Sequence, residues 1–231
     1  MTWILNLLTS SIGRKLVMSL TGLFLISFLL IHLLGNLQLL INDGGESFNT
    51  YAYFMTNNPL IKIVSFGLYF FIILHTVQGL ALALTNNNRS GGKATGKYAV
   101  KTYDNGSWAS KNMALLGTFI LFFLCIHMGD FWFKMKFGDL PMVQYEGFET
   151  EVVDLYTRVS VAFDQLWIVI VYLIGLLALC FHLIHGFGSA FQSLGLRHKK
   201  YTPLINGIGV AFSVLICLGY AAIPIVHFFN N

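Results

Sequence analysis

Five runs of about twenty predominantly apolar residues divide this chain, and each is long enough to cross the hydrocarbon core of a bilayer. They fall at about Leu16–Leu40, Leu60–Leu84, Asn112–Phe133, Leu166–Ala190 and Leu204–Phe228. Lipid offers backbone N–H and C=O groups no partner, so each run is predicted as a helix. The rest of the composition agrees. Only 10% of the 231 residues are charged and the mean hydropathy is +0.69, whereas soluble domains carry about 25% charge. The expectation is an all-α integral membrane bundle of five transmembrane helices forming a single membrane domain over residues 1–231.

Lys and Arg set the direction of the spans. Arg14, Lys15, Arg89, Lys93, Lys97, Lys101, Lys111, Arg197, Lys199 and Lys200 flank one side, and only Lys62, Lys134, Lys136 and Arg158 flank the other. This places the N-terminus in the cytoplasm and the C-terminus outside. The start, MTWILNLLTSSIGRKL, lacks a basic beginning and a small-residue cleavage pattern, so no removable signal is read there. It is predicted as a short interfacial helix. Asn86–Lys93 reads as a flexible cytoplasmic turn, and the outer loop 134–160 as too polar to span, with room for a short surface helix. The three cysteines, Cys125, Cys180 and Cys217, lie within apolar runs and read as small buried side chains. They form neither a disulfide framework nor a haem-attachment motif.

Imidazole is costly in such helices, yet His32, His75, His127 and the pair His182/His185 lie within the first four spans. His198 and His227 are predicted at the water interface. Counting from span midpoints at about 1.5 Å per residue, His32 and His127 fall at one outer level, and His75 and His182 at one inner level about 11 Å away. A buried imidazole must pair, hydrogen-bond or coordinate. Two imidazoles facing one another across a bundle can hold a haem iron axially, so two levels suggest two haems. Gly35, Gly79 and Gly186 follow their histidines by three or four residues, on the same helix face, where a flat macrocycle could lie against the backbone. Zinc would ask for three or four ligands at one level. His182 matches His75 in depth and is assigned the iron. His185, one turn nearer the cytoplasm, is assigned to the surroundings of the inner haem.

Three local patterns, IHLLGN (Ile31–Asn36), LHTVQGLALALTNNN (Leu74–Asn88) and FHLIHGFGSAFQSLG (Phe181–Gly195), together with the helix count and one histidine per span, resemble a known family. The chain is similar to the dihaem cytochrome b membrane anchors of succinate:quinone oxidoreductases and quinol:fumarate reductases, more narrowly to the five-helix, b558-type succinate dehydrogenase anchor of bacteria that use menaquinone. The resemblance covers nearly the whole chain. It implies two haem b groups, the outer held by His32 and His127 and the inner by His75 and His182. It also implies a multi-pass location in the bacterial cytoplasmic membrane, with a flavoprotein and an iron–sulfur subunit docked on the cytoplasmic face. The chain would pass electrons between them and menaquinone, as a subunit of the enzyme with no dicarboxylate site of its own. No nucleic-acid partner is expected.

Arg14, Lys15 and Ser19 lie at the right end to meet inner propionates; simple anchoring at the interface is the alternative. The family places its quinone near the outer haem, where Glu46, Asp130 and Gln38 are candidates, with Asn36, Asp43 and Asp164 beside them. An acid beside the fourth-span ligand, found in some fumarate reductases of this family, is missing, since Cys180 and Phe181 stand there. Two other readings stay open. One is the dihaem cytochrome b anchor of a membrane hydrogenase or formate dehydrogenase. The other is a haem-free transporter or scaffold whose histidines hydrogen-bond between helices.

Overall fold

The computed structural model describes residues 10–89 and 108–230. Five helices in it are long and apolar enough to cross a membrane: Ile12–Leu40, Pro59–Leu84, Met113–Phe137, Leu166–Ser193 and Thr202–Asn230. The chain is a multi-pass, all-α membrane bundle. The expected interfacial helix at the N-terminus falls largely on residues 1–9, and half of the Asn86–Lys93 turn on residues 90–93, which lie outside the described residues.

Every expected span is present, but its ends differ for local reasons. The first begins at Ser11, five residues early, because Ser10 caps it: its side chain accepts from Gly13 N at 3.0 Å, satisfying one of the orphan donors of the first turn. It stays α-helical to Asn36 and then tightens into a 3₁₀ turn, Leu37–Leu40. The second runs from Pro59 to Arg89, so the first residues of the expected turn continue the helix. Pro59 opens it, where a missing N–H costs nothing. The third passes beyond Phe133 by way of a π-helical stretch, Met128–Phe133, followed by Lys134–Phe137. The fourth extends to Ser193, and the fifth spans Thr202–Asn230.

The first four spans form a ring. Span one packs against spans two and four, and span three against spans four and two, while the backbones of the diagonal pairs, one with three and two with four, scarcely approach. Span five lies outside the ring against spans four and one. Glycines permit the closest contacts, as is usual between membrane helices: the Phe123 ring rests where a Cβ on Gly175 would stand, and the Phe187 ring likewise on Gly209.

One end of the bundle carries a cap of loop structure. Between spans one and two lies an amphipathic helix, Glu46–Asn57, missed in the sequence. Its N-cap, Gly45, has φ +88°, and the Tyr156 side chain occupies the place a Cβ would need, so the position is confined to glycine twice over. In the long second loop, Met142–Val143 pairs antiparallel with Val152–Val153, and a helix follows at Leu155–Phe163. Asn49 joins the two loops. It is 1% exposed. Its amide donates to Tyr145 Oη at 2.8 Å and to Asp154 Oδ1 at 3.0 Å, and its carbonyl accepts from Leu155 N at 3.0 Å and Tyr156 N at 2.9 Å. Both donors and both lone pairs are used.

The main buried apolar cluster lies at this capped end, around Leu39, Phe48, Val159, Phe163, Tyr172 and Ile223. A smaller one joins Ala109, Leu116 and Ala178. Among the described residues the second span contributes to neither, although it carries His75.

Candidate functional site

The two diagonals of the ring are bridged by imidazoles. His32 on span one and His127 on span three have ring centroids 5.8 Å apart. His75 on span two and His182 on span four are 6.3 Å apart. These are the pairs that depth had suggested. The separation between the pairs can be read along two spans. His75 lies against Thr21 and Gly22, ten or eleven residues before His32 on span one. His127 lies against Tyr172, ten residues before His182 on span four. At about 1.5 Å per residue the levels are about 15 Å apart, more than the 11 Å expected, because midpoints taken from the apolar runs misplace helices whose true ends lie several residues away.

The surroundings of each ring differ. At the capped end, Phe28 stacks on His32 at 5.1 Å and Tyr220 stands 5.9 Å from it, its hydroxyl donating to Leu29 O at 2.7 Å. The Asn36 amide donates to His32 O at 2.6 Å and reaches Nδ1 at 3.2 Å. His127 is ringed by Phe123, Phe131 and Tyr172, with Tyr172 Oη 3.4 Å from its Nδ1. At the other level, Thr21 Oγ1 is 3.0 Å from His75 Nδ1. His182 Nδ1 is buried with no hydrogen-bond partner, as is Gln78 Oε1 one turn from His75. All four histidines are partly buried.

These features fit axial ligation of two irons. Two metal–imidazole bonds of about 2 Å, plus the depth of each ring, put centroids on the order of 6 Å apart. Rings sharing one axis may take any dihedral angle, so interplanar angles of 86° and 67° are compatible with it. Among the described residues no three His, Cys, Asp or Glu side chains converge, so no zinc cage is found there. The glycines behave less simply than expected. Gly35 is filled by the Tyr51 ring and Gly79 touches Met18, whereas Gly186 faces open space.

The other predicted residues are scattered. Ser19 is buried and bonds back to Lys15 O at 2.8 Å, while Arg14 is half-buried and Lys15 exposed. His185 is half-buried and lines a cleft of about 590 Å³ between spans four and five, with Trp108, Arg197 and Asn206; neither His75 nor His182 enters it. Asp130 is ion-paired, its Oδ1 2.6 Å from Arg158 Nη2 and 3.5 Å from Lys134 Nζ. Glu46 is exposed in the first turn of the loop helix, and Gln38 is half-buried in the 3₁₀ turn. The Asp43 carboxylate accepts from Gly45 N at 3.0 Å and Ser47 N at 2.9 Å, closing the turn into that helix. Asp164 does not cap the fourth span; the N-cap is Gln165, which makes no side-chain cap bond. Gln38, Asp43, Glu46, Asp130 and Asp164 share one end of the bundle, and none of them lines the cleft found there. That cleft, of about 190 Å³, is formed instead by Asn49, Tyr53, Thr56, Lys136 and Glu151, among others.

Two buried features escaped the sequence. Thr21 and Tyr172 touch the paired imidazoles, and only the register between spans reveals them. His227, expected at the interface, is 5% exposed beneath Tyr156, with Ser160 Oγ 3.3 Å from its Nδ1. The cysteines also divide: Cys125 is exposed on the bundle surface, Cys180 is half-buried and Cys217 buried.

Comparison with protein-family models, curated proteins and solved structures returns no match to this chain.

Proposed function

We propose that this chain is the dihaem cytochrome b anchor of a bacterial succinate:quinone oxidoreductase or quinol:fumarate reductase, carrying electrons across the cytoplasmic membrane between a cytoplasmic flavoprotein/iron–sulfur pair and menaquinone. One observation carries the reading: four imidazoles from four successive spans meet in two diagonal pairs, at centroid separations of 5.8 and 6.3 Å. Interhelical hydrogen bonding alone would not require both diagonals to be bridged with matched spacing.

In this reading His32 and His127 hold the outer haem b, and His75 and His182 the inner one. Haem bound there would supply one-electron relay chemistry, with both axial positions closed to oxygen. The protein supplies the rest. Thr21 and Tyr172 touch Nδ1 of His75 and His127 and orient those rings. Phe28, Phe123 and Phe131 keep water from the outer pair, a lever on potential. The capped end is taken as the outer face, where Gln38, Glu46 and Asp130 stand nearest a quinone arriving from the lipid. The opposite end carries Arg14, Lys15, Arg197, Lys199 and Lys200, a basic rim suited to anionic headgroups or to the docked iron–sulfur subunit. The dicarboxylate chemistry belongs to the partners.

A reduced-minus-oxidised spectrum of the purified chain tests the reading. Two b-type components are expected, and His182→Ala should remove one while His32→Ala removes the other. A wild-type spectrum without a b-type band would overturn it.

A further inference from the structure

We propose that Thr21 is the positioning residue of the inner pair: its hydroxyl oxygen accepts a hydrogen bond from His75 Nδ1–H and so leaves Nε2 as the nitrogen available to iron. The proposal rests on the dihaem reading and adds a residue, on a different span, that sets the tautomer and basicity of one ligand.

Thr21 is 3% exposed, and its Oγ1 lies 2.8 Å from Val17 O and 3.1 Å from Met18 O. Both acceptors are carbonyls of its own helix, the usual back-bond of a helical threonine. A hydroxyl has one proton and two lone pairs. With the proton given to a carbonyl, the 3.0 Å contact to His75 Nδ1 is Nδ1–H donating to Oγ1, and the Met18 carbonyl is a second acceptor beside the same ring. A neutral imidazole protonated at Nδ1 carries its free lone pair on Nε2. The neighbouring residue completes the arrangement. A Cβ on Gly22 would stand 3.3 Å from His75 Cε1 and 3.8 Å from Nδ1. The Nδ1–Cε1 edge of the ring therefore lies against span one, at a position where backbone alone leaves room for it.

The inner pair is thus asymmetric. His75 has a hydroxyl acceptor at Nδ1, whereas His182 Nδ1 is buried with none. In the outer pair both Nδ1 atoms meet a polar side chain, Asn36 at 3.2 Å and Tyr172 at 3.4 Å. An acceptor at Nδ1–H raises the basicity of the ligating nitrogen and fixes the ring. A more basic ligand favours ferric over ferrous iron, so Thr21 holds the inner potential down.

The test uses the full chain purified with its own haem, as wild type, Thr21→Val and Thr21→Ser. Valine keeps the branched shape without the oxygen; serine restores it. Redox titration and the low-spin ferric resonance spectrum are read for each component, with the rate of haem loss to a scavenging apoprotein. For Thr21→Val the inner component alone should shift to higher potential, its ferric signal should change, and haem affinity should fall by about 10–100-fold; Thr21→Ser should track wild type. An unshifted inner component in Thr21→Val would overturn the proposal, and so would a serine variant displaced as far as the valine one, since shape rather than the hydroxyl would then be at work. A wild-type chain purified without b-type haem would overturn this proposal together with the reading beneath it, and that result is seen before any variant is made.

Discussion

Arg158 Nη2 lies 2.6 Å from Asp130 Oδ1, and the guanidinium Nε donates to the Asp130 carbonyl at 3.2 Å, so the helix Leu155–Phe163 is tied to the π-helical stretch of the third span by both side chain and backbone. The two side chains are only 14% and 18% exposed. Breaking a fully buried pair from one side costs about 3–5 kcal/mol; with the remaining exposure, Asp130→Ala should cost about 2–3 kcal/mol. Thermal unfolding in detergent checks this. The double variant Asp130→Ala/Arg158→Met should recover part of the loss, because no uncompensated charge is left behind, and a purely additive double variant would count against the pairing.

Asn49→Leu should be among the most damaging single changes at the capped end. It leaves the Leu155 and Tyr156 N–H groups and the Asp154 carboxylate without their buried partner. Each stranded group costs about 1–3 kcal/mol. The readout is local: limited proteolysis should cut the 138–154 loop faster in the variant, while the histidine pairs, on other elements, keep their spacing.

Asp43 makes this same end sensitive to acid. Slight burial raises its carboxyl, but hydrogen bonds from Ser47 and Gly45 outweigh that and hold it below the usual range. A folded value under the unfolded one means stability present at neutral pH, fading below about pH 4 and lost as pH falls through the folded value. Amide exchange in Glu46–Asn57 should therefore accelerate between pH 5 and 3 on the order of those values. In Asp43→Asn it should be faster at neutral pH and should lose that acid-dependent step.

Topology makes a prediction about energy. Levels about 15 Å apart cover about half of a ~30 Å hydrocarbon core. On the reading proposed above, an electron moved outward between them, away from an inside-negative interior, releases about 1 kcal/mol per 100 mV. In sealed vesicles holding the intact complex, succinate-driven menaquinone reduction should slow when an uncoupler is added. An unchanged rate would sink the outer placement of the quinone.

Much of this molecule is already written in the order of its residues. Each apolar run must become a helix because lipid leaves its backbone no other partner, and the count of five follows. The pairing of His32 with His127 and of His75 with His182 is also legible, since depth along a helix is counted in residues. Span ends were less so: Ser10 and the π-helical stretch at Met128–Phe133 act through local hydrogen bonds that hydropathy does not register. The helix Glu46–Asn57 was missed because its stability comes from the partners of Asn49 and from the Tyr156 contact at Gly45, both supplied by a loop about a hundred residues away.

What no single stretch encodes is the rotation and register of one helix against another. Whether a threonine faces an imidazole on a different span, as Thr21 faces His75, or whether a histidine near the chain end is buried, as His227 is, depends on angles set by packing across the whole bundle. The sequence by itself determined the number of spans, their helical nature and the approximate depth of each imidazole, because those follow from local solvation in lipid. Only the tertiary structure decided which side chains orient the rings, which acids are tied up in ion pairs and where space remains, because those are settled by contacts between residues far apart in the chain.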